Sequence, residues 1–186
     1  MNFNKHLDLV GQHAFLGASK YSWLNYDKDK LIQSFINAQA AEKGTELHEL
    51  ASKLIKFGIP QKATKSTFNM YVNDAISFRL NPEQVLFYSR NCFGTADAIS
   101  YNEKKKFLRI HDLKTGVTIP HMEQLEIYAA LFCLEYHVNP LDISIELRIY
   151  HNNDIIVHSP TGEKIKEIMQ KIVYFDGLIE QLRVEE

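Results

Sequence analysis

The sequence predicts an α/β domain, a central mixed β-sheet flanked by α-helices. Three observations carry that expectation. Between Phe93 and Gly116, the apolar-rich runs FGTADAIS and FLRIHDLKTG flank a polar break, YNEKKK, which is the pattern of a β-hairpin. The stretch PHMEQLEIYAALFCLEYHV then spaces Leu125, Tyr128, Ala129, Phe132 and Tyr136 as one helical face. Finally, Ile143, Ile145, Leu147 and Ile149 alternate with Ser144, Glu146 and Arg148, as in a strand. A hairpin, a helix and a further strand in this order place helices around a mixed sheet.

The 186 residues suit one domain, 1–186. It reads as an N-terminal helical part (1–80), a core (83–158) and a C-terminal helix (160–184). In HAFLGASKYSWLN, an apolar lead-in and a small-residue turn precede a helix start, with Ser19 or Ser22 as N-cap and Trp23 and Leu24 plugging into the core. From Asp29, the residues Leu31, Ile32, Phe35, Ile36 and Ala40 keep helical spacing. Gly44 is expected to interrupt this helix and Thr45 to cap a second one, striped by Leu47, Leu50, Ala51, Leu54 and Ile55. Gly58 and Pro60 end it. Gln61 to Ser66 is a polar loop carrying Lys62 and Lys65. Thr67 to Leu80 is again helical, Asn81-Pro82 breaks it, and Glu83 to Arg90 favours a strand. After the hairpin, Pro120 opens the next helix and Asn139-Pro140 closes it. Asn152-Asn153-Asp154 turns the strand from Ile143 into a shorter one, Ile155 to His158. Ser159-Pro160-Thr161 starts the last helix, striped by Ile165, Ile168, Met169, Ile172 and Leu178.

Composition narrows the classes. The chain is 45% hydrophobic and 24% charged, with net charge −2, so it has a real core and is not a globally basic nucleic-acid binder. No apolar run approaches the roughly 20 residues that span a bilayer, and MNFNKHLDLV lacks the apolar stretch of a signal peptide. Cys92 and Cys133 are expected as free thiols of a cytoplasmic protein, and no C-x-x-C offers zinc or cluster ligands.

The hairpin carries the chemistry. With its turn centred on Lys104 and Lys105, Asp97 falls opposite Asp112. Directly opposed Cβ atoms lie roughly 5 Å apart. Two carboxylates this close repel unless a cation lies between them. Lys114, two residues beyond Asp112, shares its face. Two acids and a lysine, backed by Ile99, Leu108 and Ile110, make a candidate site for a divalent metal.

This constellation resembles the PD-(D/E)XK nuclease superfamily, in particular its RecB-like branch of phage-type exonucleases. Four pieces occur in the family's order: Gly44-Thr45 with His48 on a helix, Gly94-Thr95-Ala96-Asp97, Asp112-Leu113-Lys114-Thr115-Gly116, and Gln124 with Tyr128 on the next helix. They span about half the chain. The resemblance implies a restriction-endonuclease-like core and a metal-dependent deoxyribonuclease. By itself His48 reads as a half-buried side chain beside an apolar stripe; the resemblance makes it a metal ligand. Asp97, Asp112 and the Leu113 carbonyl complete the implied ligand set for Mg2+ or Mn2+. Lys114 would hold the attacking water or the scissile phosphate, with Gln124 and Tyr128 supporting it and the DNA strand. The segment around Ser19, Lys20 and Trp23-Leu24-Asn25 also resembles this branch. Tyr26 follows where some members carry a cluster cysteine, so no iron–sulfur cluster is expected. Ser19, Lys20, Lys104, Lys105 and Arg109 are candidate DNA contacts, although a basic run at a hairpin tip is ordinarily a solvated turn.

Small nucleases of this kind, carried by phages and mobile elements, commonly process DNA ends in recombination and repair. An exonuclease is therefore the leading expectation, with DNA, a recombination partner protein and further copies of the chain as partners, and no membrane. The motifs leave open a structure-specific endonuclease and an inactive nuclease-fold module that binds DNA or protein. A zinc protein using His48, His111 and His121 is disfavoured, because His111 should face away from Asp112.

Overall fold

The computed structural model describes residues 15–16, 18–116 and 120–184. The chain divides between Thr45 and Glu46 into a small N-terminal unit and a larger one, Glu46–Glu186.

In the small unit, a 3-10 helix spans Ala18–Asn25. Trp23 is half-buried, but Leu24 is 68% exposed and does not plug a core as expected. Phe15 meets Phe35 edge to face, with ring centroids 5.2 Å apart. Helix α1 starts at Lys28, where Asp27 accepts the Lys30 N–H at 2.8 Å.

One expectation fails here. Helix α1 runs unbroken over Lys28–Phe57, with no interruption at Gly44. Thr45 does not cap a second helix; its hydroxyl donates back to the Ala41 carbonyl at 3.2 Å. A glycine inside a helix costs only about 1 kcal/mol against alanine, too little by itself to end one.

The larger unit holds a five-stranded sheet in the order β1-β2-β3-β4-β5, so the architecture is α/β as predicted. The strands are β1 (Asn81–Ser89), β2 (Cys92–Asn102), β3 (Phe107–Leu113), β4 (Ser144–His151) and β5 (Asp154–His158). Neighbours are antiparallel except β3 and β4, which are parallel. A parallel pair needs a crossover, and α3 (Glu123–Glu135) supplies it. This helix begins at Glu123 rather than at Pro120. Helix α2 (Thr67–Ser77) is shorter than expected. Phe78 caps it, Arg79 turns left-handed at φ 56°, and Leu80 N–H returns to the Ala75 carbonyl at 2.9 Å. Helix α4 covers Gly162–Val184.

Both faces of the sheet are covered. On one face Leu86, Ile99, Leu108, Ile110 and Leu147 pack with Leu125, Ala129 and Phe132 of α3 and Ile165 of α4. On the other, Ala98, Leu113 and Tyr150 pack with Ala51 and Ile55 of α1 and Tyr71, Val72 and Ala75 of α2. Central strands therefore have no solvent face, and His111 is fully buried. Cys92 and Cys133 are free thiols, as expected.

Candidate metal centre

The hairpin register sets the site. The rungs Asn102↔Phe107 through Ala98↔His111 place the turn between Lys104 and Lys105 as the sequence predicts. The paired residues end at Ala98↔His111, and the same register carried one step further sets Asp97 against Asp112. The regular pleat does not survive there. Ala96 joins the α3-side cluster and Ala98 the opposite one, but Ile99 returns to the α3 side. Strand β2 thus changes face at Asp97, which points to α1, and Asp97 is not on the face of Ile99 as expected. Strand β1 changes at the matching rung. Pro82↔Ala98 and Gln84↔Ala96 are paired, and Glu83 between them has φ 51°. A left-handed glutamate is strained, and such strain concentrates at sites where a side chain must be aimed.

The face change brings together three side chains that could hold a metal ion. His48 Nδ1 on α1 lies 3.3 Å from Asp97 Oδ2. Ligand atoms of His48, Glu83 and Asp97 all lie within 4.8 Å of one another. Asp97 Oδ2 also accepts the Leu113 backbone N–H at 2.8 Å, which fixes the Leu113 peptide against it. The hydrogen bond to Asp97 raises the His48 pKa above its ordinary value, against the lowering effect of burial. Glu83 is raised by desolvation and by the Asp97 charge.

Asp112 is only 2% exposed. Lys114 Nζ donates to its Oδ1 at 3.2 Å and stands 3.0 Å from Oδ2. That second approach is off the hydrogen-bonding direction, so Oδ2 is buried without a hydrogen-bond partner. Burial first, and the Asp97 charge second, push the Asp112 pKa up to about 6 despite the opposing lysine. The Asp97 charge reaches the buried Asp112 carboxylate and Lys114 Nζ, 3.0 Å from its Oδ2, offsets it only in part, so a further cation beside Asp97 would be favourable. Oxygen-rich donors with one imidazole suit a hard divalent ion, and the nitrogen favours manganese. The residues present therefore fit Mg2+ or Mn2+.

A supporting chain leads away from Asp112. Lys114 Nζ donates to Gln124 Oε1 at 2.7 Å, and Gln124 Nε2 donates to the Tyr128 hydroxyl at 3.1 Å. Tyr128 in turn explains Gly94. A Cβ on residue 94 would stand 2.9 Å from Tyr128 Cε1, so only glycine leaves the ring its place. The GTAD and Q-x-x-x-Y stretches are thus one packed unit.

The remaining expected residues are elsewhere. The side chains of Ser19 and Lys20 lie outside the described residues. Lys104 and Lys105 are exposed in the turn at the other end of the hairpin, about 23 Å along the strand from Asp112 at ~3.3 Å per residue. The Arg109 guanidinium stacks 3.7 Å from the Phe78 ring centroid and binds Glu146 at 2.7 Å, so it is engaged within the fold. His111 Nδ1 meets the Tyr150 hydroxyl at 3.2 Å, and burial pushes its pKa down to about 2. His121 is exposed, 4.0 Å from Glu123. The three histidines of the zinc reading do not converge.

Glu83 is the site residue that sequence reasoning missed. Its only signal is its position one rung opposite Asp97, which requires the β1–β2 register. No family model, no curated protein and no solved structure matches this chain. Among the described residues, no helix is long and apolar enough to cross a membrane.

Proposed function

We propose that this chain is a divalent-metal-dependent deoxyribonuclease of the PD-(D/E)XK kind, with a restriction-endonuclease-like core. It hydrolyses phosphodiester bonds, most simply as an exonuclease acting on cytoplasmic DNA ends in recombination or repair. The observation that carries this reading is the buried, half-satisfied Asp112 carboxylate set against Asp97 by the hairpin register, with Lys114 held between Asp112 and Gln124. His48, Glu83, Asp97, Asp112 and the Leu113 carbonyl would hold Mg2+ or Mn2+. Such an ion lowers the pKa of a bound water and neutralises charge on the phosphoryl group.

The protein's own groups do the rest. Lys114 presents its ammonium to a phosphate oxygen or to the attacking water, held in place by Asp112 and Gln124. Tyr128 positions Gln124, and Gly94 makes room for Tyr128. Burial of Asp112 keeps its charge unscreened by solvent, so its pull on a cation is strong.

The test is cleavage of end-labelled linear DNA and of the same DNA as a closed circle, with Mn2+, Mg2+ or EDTA. Metal-dependent loss of the linear form alone is expected. Cutting of the circle makes the protein an endonuclease. Binding without cleavage of either makes it an inactive nuclease-fold module.

A further inference from the structure

The same face that carries the ligands carries an exposed aromatic pair. Gly94 and Ala96 point to the α3 side of β2, so Phe93, Thr95 and Asp97 point to the other side. The register sets Phe87 opposite Phe93 and Val85 opposite Thr95, and Glu83 falls opposite Asp97. Two adjacent strands therefore present, in order, a pair of phenylalanines, a Val–Thr pair, and two of the candidate ligands.

The phenylalanine rings lie 6.3 Å apart between centroids, tilted by 32°. An aromatic cross-strand pair stabilises a hairpin on its own account, but core packing would cover these rings. Instead Phe93 is 62% exposed, Phe87 46% and Val85 49%. Phe93 lies about 13 Å from Asp97 along the strand at ~3.3 Å per residue, within reach of a few nucleotides of one strand. At the backbone edge beside the pair, the Phe87 N–H is taken by Glu135 Oε2 at 2.8 Å. A further strand adding to that edge would have to displace Glu135, whereas the ring faces stay open. The hairpin tip lysines are remote and Arg109 is engaged elsewhere, which leaves the exposed Arg90, three residues from each ring in the β1–β2 turn, as a nearby cation. What the patch offers a strand is π-surface, and every base has a π-face to stack on it.

We infer that Phe87 and Phe93 form a stacking platform for unpaired bases of the strand whose phosphate lies at the metal centre, which makes a single-stranded end the substrate class. The inference rests on the proposed nuclease reading, since continuity with the ligand face is what assigns nucleic acid to the platform. Paired bases are stacked on each other and closed to the rings, so the platform selects frayed or single-stranded ends over blunt duplex.

The test reads binding apart from hydrolysis. Fluorescence anisotropy of a labelled oligothymidylate, an oligouridylate and an abasic oligonucleotide of equal length is measured with Ca2+ in place of Mn2+. Wild type, Phe93→Ala, Phe87→Ala and Phe93→Tyr are compared. Phe93→Ala is expected to weaken oligothymidylate binding roughly ten-fold or more. Phe93→Tyr retains binding, and the abasic strand binds wild type about as weakly as oligothymidylate binds Phe93→Ala. The thymidylate and uridylate arms identify the sugar. Equal binding of the abasic strand by wild type, unchanged binding by Phe93→Ala, or no binding at all overturns the platform. So does a wild-type dimer in sedimentation that Phe93→Ala dissociates, because the patch is then a contact between copies. Metal-dependent cleavage that Phe93→Ala leaves unchanged on single-stranded ends overturns the platform and spares the nuclease. Base-dependent binding without any cleavage supports the platform and overturns the nuclease.

Discussion

Replacing Asp112 by asparagine should stabilise the metal-free protein while abolishing its activity. The carboxylate is 2% exposed and its pKa stands at about 6, against 3.8 for the free side chain. At ~1.36 kcal/mol per pH unit, the charged form costs the fold about 3 kcal/mol at pH 8. That figure already contains the attraction of Lys114, which works in the opposite direction. The sign follows from linkage. A folded pKa raised above the unfolded one means stability is fully present below about pH 3.8 and is lost as pH rises through about 6. Asp112→Asn should therefore gain stability relative to metal-free wild type as pH rises across that window, a difference that cancels the opposite dependence of His111, which both proteins share. At pH 8 the variant should melt higher by roughly 6–12 °C, taking ~2–4 °C per kcal/mol for a chain of this size. Mn2+ should raise the melting temperature of wild type, because an ion that binds only the folded form stabilises it, and should do so much less for the variant. Thermal melts at pH 4, 6 and 8, with EDTA or Mn2+, measure all of this. A variant that melts lower than wild type at pH 8 in EDTA would refute the reasoning, since Asp112 would then be a satisfied structural group.

Two further predictions concern the surroundings. The His111 pKa is pushed down to about 2, so the neutral ring's stability is present above about pH 6.5 and lost as pH falls toward 2. Denaturant midpoints should show about 2 kcal/mol lost by pH 5 from this group, and His111→Asn should remove that acid dependence. Gly94→Ala should cost about 1–3 kcal/mol and much of the activity by displacing Tyr128. In a Tyr128→Ala background the stability cost should nearly vanish, which a double-mutant cycle of unfolding free energies measures.

The hairpin was legible from sequence because its contacts are local. A short polar turn between two apolar runs fixes the register, which is paired as far as Ala98↔His111, the rung next to Asp97 and Asp112. Lys114 follows Asp112 by two residues and so shares its face by spacing, whereas the contact of Gln124 and Tyr128 with it was implied only by the resemblance, because their own spacing reads as a boundary amide and a core aromatic. Glu83 was out of reach, because its partner lies across a strand pair whose register no local pattern states. The face change at Asp97 was hidden for a related reason. Strict alternation is the only rule a sequence offers for a strand, and here two strands break it at the same rung without shifting register. His111 was read correctly as facing away from Asp112, but its full burial depends on α1 and α2 covering that face. Gly44 was read as a break because glycine is a poor helix former. A single glycine costs a helix interior only about 1 kcal/mol, which a 30-residue helix tolerates.

The central claim is that Lys114 acts on substrate at a metal centre built by other residues. The most direct measurement is Lys114→Ala carried through two assays together: Mn2+ binding by titration calorimetry, and cleavage of end-labelled linear DNA under the same conditions. The account predicts Mn2+ affinity within a few-fold of wild type and cleavage reduced by at least about a hundred-fold, since Lys114 is a partner of Asp112 and not a ligand. Cleavage at the wild-type rate, or no Mn2+ binding by the wild-type protein, would contradict it.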